Sequence, residues 1–193
     1  VRRAEEFYHS KQRLTGAATG LTDFDNMTCG LQDQDLLILA GRPSMGKTAL
    51  ATAIVEAVSE IGPVLKISLE MSKERLVHRM LCQLGKIDSG RLKTGFLSDL
   101  DIAKLAQAAT YLAQRPIFIE DSGCSTVYDV RSMVRKIKAT EGDLRLVVID
   151  YLQLMSGKGS SREQEIASIS RGLKLLAKEL GCPVLALSQL NRE

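Results

Sequence analysis

The chain has no tryptophan, and aromatic residues make up only 4% of its 193 residues. No stack of rings for gripping single-stranded nucleic acid is visible in such a composition. Charge of one dominant sign is also missing. Twenty-six Lys and Arg stand against 23 Asp and Glu, a net charge of +3, so composition alone does not announce a partner of strongly opposite charge. No apolar run approaches the roughly 18 residues of a membrane span and no signal peptide is present, so no membrane association is expected. The four cysteines, Cys29, Cys82, Cys124 and Cys182, lack the close spacing of metal or redox pairs. They read as reduced structural thiols, which places the chain in the cytoplasm. What remains is 45% hydrophobic and 25% charged, the composition of one soluble domain with a full-sized core. The first residue is Val1 rather than Met, so the chain is expected to be a fragment.

The most informative stretch is Leu36-Leu37-Ile38-Leu39-Ala40-Gly41-Arg42-Pro43-Ser44-Met45-Gly46-Lys47-Thr48. Four large apolar residues predict a strand buried on both faces. Gly-x-x-x-x-Gly-Lys-Thr follows, and then the Ala-rich run Ala49 to Ala57 predicts a helix. Strand, glycine-bounded loop and helix in that order form the context of a phosphate-binding loop. Backbone N–H groups of such a loop, together with the helix dipole, favour phosphate oxygens. Gly41, Arg42, Pro43, Ser44, Met45, Gly46, Lys47, Thr48 and Ala49 are therefore expected to bind the nucleotide, with Gly46 leaving room for the backbone to close on the phosphates. Lys47 supplies a point charge for the β and γ phosphates, and the Thr48 hydroxyl is a ligand for Mg²⁺. A chance match to this pattern is on the order of one in a hundred for a chain of this length. The flanking strand and helix lower that further, so an ordinary strand-to-helix turn is set aside.

Elsewhere, apolar runs at Val64–Leu69, Ile117–Ile119, Leu144–Ile149 and Val184–Leu187 predict four more strands. Helical spacing is carried by the segment from Ser72 to about Leu84, by Ile102 to Ala113, by Val127 to Ile137 and by Ile166 to Leu180. The last of these stripes reads as a core-facing surface rather than a partner helix. Thr15–Gly30 looks like linker and turns, Gly85–Ser98 like a basic loop, and the Gly/Ser-rich Ser156–Ser161 like a mobile one. Strands alternating with helices predict an α/β fold with a mostly parallel sheet and helices on both faces.

Ligands of such sheets gather at the carboxyl ends of the strands, where Glu70, Asp121, Asp150 and Gln189 all fall. Asp150, ending Leu146-Val147-Val148-Ile149, fits the acid that holds Mg²⁺ or its waters. Glu70 is the candidate general base for a water in line with the γ-phosphate. Its alternative is a surface carboxylate capping the next helix. Gln189 has the reach to touch the γ-phosphate or the attacking water, the alternative being a satisfied polar residue without such a role. His9 and His78 have no partners in sequence and read as structural.

Four stretches taken together resemble the DnaB family of bacterial replicative DNA helicases. They are Ala40 to Thr48, Ser68-Leu69-Glu70-Met71, Val148-Ile149-Asp150-Tyr151-Leu152-Gln153-Leu154-Met155 and Leu187-Ser188-Gln189-Leu190-Asn191-Arg192. The resemblance implies a RecA-like phosphate-loop motor over residues 15–193, preceded at 1–14 by part of a linker helix that docks on a neighbouring subunit. It implies a homohexameric ring that hydrolyses ATP with Mg²⁺, moves along single-stranded DNA, and works with a primase and a helicase loader. It assigns Lys47 and Thr48 to phosphates and metal, Glu70 to water activation, Asp150 to the metal and Gln189 to γ-phosphate sensing. It also implies that further C-terminal strands, the main DNA loops and an arginine finger lie beyond residue 193. Leu36–Leu39 would then form an apolar sheet edge, and the polypeptide as given would bind ATP–Mg²⁺ but turn it over slowly. Lys158 and Arg162 flank the Gly/Ser loop and are candidates for a DNA phosphate, the alternative being stray charges on a solvated loop. A RecA- or clock-type ATPase and a nucleotide-switch partner remain the competing functions. A small-molecule kinase fits less well, because no Arg-rich lid follows the phosphate loop.

Overall fold

A computed structural model describes residues 14–190. The expected linker-helix segment at 1–14 and the role of His9 thus lie outside the described residues, apart from Leu14. Five strands form a single parallel sheet: β1 (Leu36–Gly41), β2 (Val64–Ser68), β3 (Ile117–Glu120), β4 (Leu146–Asp150) and β5 (Val184–Gln189), in spatial order β1-β5-β4-β2-β3. The helices are α1 (Thr22–Thr28), α2 (Lys47–Val58), α3 (Lys73–Gly85), α4 (Ser89–Thr94), α5 (Asp99–Ala113), α6 (Val127–Glu141) and α7 (Arg162–Leu180), with a 3₁₀ turn at Leu152–Leu154.

Alternation along the strands divides the interior into two cores. Leu65, Ile67, Val147, Ile149, Val184 and Ala186 face one, where Val130, Val134 and Ile137 of α6 meet Ile169, Leu173 and Leu176 of α7. Val64, Leu146, Val148, Leu185 and Leu187 face the other, filled by Ala51, Ile54, Val55 and Val58 of α2 and by Met80 of α3. β2 and β4 are buried along their whole length, as parallel strands covered on both faces must be. The stripe on α7 is a core face, as its spacing predicts.

Four expectations are corrected. β1 is not buried on both faces, contrary to the reading of its apolar run: among the described residues it is an edge strand paired only with β5, as the family resemblance implies, and Ile38 is 47% exposed. Its apolar run reads like that of a central strand because periodicity carries no information on strand order. The expected linker at Thr15–Gly30 instead packs down and contains α1. The Asp25 carboxylate takes the Thr19 N–H at 3.0 and 3.1 Å and its hydroxyl at 2.8 Å, so these polar residues satisfy one another in a buried turn. The basic loop Gly85–Ser98 contains α4, a short polar helix whose start is fixed by Asp88 Oδ1 accepting Arg91 N–H at 3.0 Å. The Ser156–Ser161 segment is held at definite points, with Ser156 N–H on Ser125 O at 2.7 Å and Gly157 N–H on Glu165 Oε1 at 3.1 Å.

Candidate active site

All five strands are parallel, so their carboxyl ends share one rim. That rim is tied together by backbone bonds: Leu69 N–H donates to Asp150 O at 2.8 Å, and Leu190 N–H donates to Gly41 O at 3.1 Å. β2 finishes in a turn in which the Ser68 hydroxyl donates to Met71 O at 2.6 Å and accepts Met71 N–H at 3.2 Å. This turn holds Glu70 out from the sheet, exposed to solvent.

The loop from Arg42 to Gly46 joins β1 to α2. Ser44 and Gly46 both have left-handed backbones, with φ of 62° and 83°. A Cβ on Gly46 would meet nothing within 4 Å, so within the chain itself the backbone angle, rather than space, calls for glycine here. Lys47 curls back over the loop, its ammonium donating to Gly41 O at 2.8 Å and Arg42 O at 2.9 Å. The first amides of α2 have no carbonyl one turn back in the helix to bond, which leaves the loop and helix start rich in donors.

A cleft of about 400 Å³ opens over this loop. Pro43, Ser44, Gly46, Lys47, Thr48 and Ala49 line it from the loop and helix, and Glu70, Asp150 and Gln189 from the tips of β2, β4 and β5. Asp150 is 4% exposed at the base of the cleft, while Glu70 stands at its mouth. Gly41, Arg42 and Met45 do not line the cleft. The first two give their carbonyls to Lys47, and Met45 is 74% exposed. Asp121 lies on the rim but serves another purpose. Its carboxylate accepts Lys73 N–H at 2.7 Å and caps α3, the role open to Glu70 in the sequence. Of the DNA candidates, Arg162 commits its guanidinium to Gln153 O and Glu165, and Lys158 is exposed. His78 is exposed on α3, beside Arg75 and Arg79.

Met71, Arg79 and Tyr151 also line the cleft and carry no role in the sequence reading. Met71 and Tyr151 directly follow Glu70 and Asp150, so adjacency was a usable signal. Arg79 lies on α3, and only the direction of that helix brings it back to the cleft.

The strand order, the glycine-bounded loop between β1 and α2, and the polar strand tips facing it define an α/β domain of the RecA-like, phosphate-loop class. Residues 16–193 match the family model of the DnaB-like helicase C-terminal domain, and the chain belongs to that family. It is 48% identical over 182 residues to the replicative DNA helicase DnaB of Nostoc sp., covering 93% of this chain and 21% of that protein. It is 46% identical over 193 residues to DnaB of Geobacillus stearothermophilus, covering 97% and 42%. The chain thus spans well under half the length of these relatives. Among solved structures, a DnaB-like replicative helicase, described with its interactions with primase, superposes with a TM-score of 0.91 at 34% identity, covering 99% of this chain and 47% of that one. A second solved structure, described as an ATPase domain, superposes at 0.93 and 35%, covering 99% and 69%. Membership of this family carries with it the use of a nucleotide. Among the described residues, no helix is long and apolar enough to cross a membrane.

Proposed function

We propose that this chain is the ATP-hydrolysing motor of a replicative DNA helicase, acting in a hexameric ring of identical subunits that moves along single-stranded DNA. Primase and a loader are the expected further partners. The observation that carries this reading is the meeting of Lys47 and Thr48 with Glu70, Asp150 and Gln189, drawn from four separate strand ends, in one cleft.

Lys47 leaves the carbonyls of Gly41 and Arg42 to pair with the β and γ phosphates of ATP. The Thr48 hydroxyl and the Asp150 carboxylate fit magnesium, a hard cation that prefers oxygen ligands. Among the described residues, no three His, Cys, Asp or Glu side chains are grouped to hold a metal. A divalent ion shared with phosphate oxygens suits such a sparse donor set. When bound, magnesium neutralises charge developing on the phosphates. Glu70, solvent-facing at the mouth of the cleft, orients a water toward the terminal phosphorus and takes its proton. Gln189 at the tip of β5 reads whether the γ-phosphate is present. Arg79 adds a cation on the α3 side.

The test is Glu70→Gln. ATP binding should persist while turnover falls by about 10²–10⁴-fold, the usual worth of a general base. Wild-type turnover in this variant would overturn the assignment.

A further inference from the structure

β2 reads Val64-Leu65-Lys66-Ile67-Ser68, and its lysine is fully buried. Lysine is almost never fully buried without a partner, because taking an ammonium out of water is costly even after the surroundings relax. Lys66 pairs in register with Val148 of β4 and Ile119 of β3, on the sheet face that α2 covers. Residues two apart on a strand share a face, so Lys66 lies on the same face as Ser68, whose register partner is Asp150.

From α2, Thr48, Thr52 and Glu56 recur every four residues and form one stripe. Lys66 Nζ donates to Thr52 Oγ1 at 2.9 Å, and that hydroxyl donates to Thr48 O at 2.7 Å. The ammonium is thus two hydrogen bonds from the backbone of the residue whose hydroxyl is read as a metal ligand. Glu56 Oε1 is buried without a hydrogen-bond partner. Burial pulls the Lys66 pKa down to about 8, with Asp150 and, more weakly, Glu56 opposing that and Arg79 adding to it, so the charge survives at neutral pH.

We propose that Lys66 is a positioning residue that acts as a built-in cation beneath the metal subsite, holding the Thr48 turn through Thr52 and offsetting the charge of Asp150. This rests on the reading of Thr48 and Asp150 as magnesium ligands. Lys66 supports the phosphate end of the cleft before a divalent ion arrives, and its charge sets how tightly that ion binds by repelling it from the neighbourhood of Asp150.

The test titrates magnesium against a fluorescent ADP bound to the chain at pH 7, with a parallel binding curve in EDTA. Lys66→Met keeps the bulk and removes the charge. Its magnesium midpoint should fall by about three- to tenfold, while ADP affinity in EDTA falls by a similar factor, as expected for one unit charge acting through a protein interior. Glu56→Gln is the reciprocal variant and does not depend on Lys66→Met folding. With a competing carboxylate gone, its magnesium midpoint should rise by about twofold or more. A merely structural role would move both variants in the same direction and weaken nucleotide and metal together, and that result would overturn the proposal. If the unaltered chain binds ADP with no dependence on magnesium, the reading of Thr48 and Asp150 fails instead, which separates the two failures.

Discussion

Gln153 grips the backbone of Gln189 with both ends of its side-chain amide. Nε2 donates to Gln189 O at 3.0 Å, and Gln189 N–H donates to Oε1 at 3.1 Å, while Nε2 also reaches Ser188 Oγ at 2.9 Å. The β4–β5 ladder ends at Ile149 and Ala186, so beyond that point the Gln153 side chain takes the place of a paired strand. It thereby fixes the tip of β5 against the segment that follows Asp150. Gln153→Ala should lower ATP turnover by about 10–100-fold through misplacement of Gln189, with nucleotide affinity nearly unchanged. Steady-state hydrolysis measured beside fluorescent-nucleotide binding checks this. Equal losses in both would mean that the clamp shapes the whole cleft rather than Gln189.

Stability should depend on pH through two buried groups, Glu56 on α2 and Lys66 on β2. Burial raises the Glu56 pKa from 4.5 to about 7, an effect that Lys66 only partly opposes. Between these values the folded chain keeps a proton that the unfolded chain has lost, so stability falls as pH rises from about 4.5 to 7. Lys66 is lowered from 10.5 to about 8, and between those values the unfolded chain holds the extra proton, so stability rises again as pH climbs from about 8 to 10.5. Urea unfolding across pH should therefore show a trough near pH 7–8. Glu56→Gln should remove the fall on the acid side, worth on the order of 2 kcal/mol once screening by nearby water is allowed for. A Glu56→Gln profile parallel to the wild type from pH 4.5 to 7 would place the titration elsewhere.

The loop between β1 and α2 was legible because its pattern is local. Gly41 to Thr48 are contiguous, and each residue type has one physical reason to be there. Glu70, Asp150 and Gln189 were legible for a related reason, since each ends an apolar run and parallel strands end on one rim. Strand order is not local, so the apolar run of β1 reads like those of β2 and β4, and only the family resemblance pointed to its edge position. Lys66 was hidden within Val64–Leu69, where one polar residue in an apolar strand looks like a solvent-facing side chain. The helices α1 and α4 are too short for a periodic stripe. Both start in polar sequence, the one beside the Thr19–Asp25 pair and the other at the Asp88 cap. Composition alone reads such stretches as loop.

The two glycines of the 156–161 segment serve close approach rather than flexibility. A Cβ on Gly157 would lie 2.8 Å from Glu165 O and from Ile169 Cγ1, and one on Gly159 would lie 2.6 Å from Glu165 N. Gly159→Ala should therefore force the segment off the start of α7 and destabilise the chain by about 1–3 kcal/mol, as other overpacked contacts do. Urea unfolding measures it. A flexible linker would accept the same methyl group with no loss, so an unchanged midpoint would restore the compositional reading.

Lys158 lies between those glycines, exposed, on a segment whose backbone is anchored on both sides. Arg162 is exposed too, but its guanidinium is committed to Gln153 O and Glu165, which links it to the Gln189 clamp. If the segment meets DNA, the contact should come from Lys158 alone. Lys158→Ala should then weaken single-stranded DNA binding uniformly across sequences and flatten the plot of log affinity against log salt by about 0.7, the share of one phosphate contact. Arg162→Ala should leave that slope unchanged and lower turnover instead, because it loosens the support of Gln153. Salt titrations of both variants on homopolymeric strands decide between them. A slope reduced by Arg162→Ala and untouched by Lys158→Ala would reverse the assignment and show that DNA draws Arg162 away from Gln153.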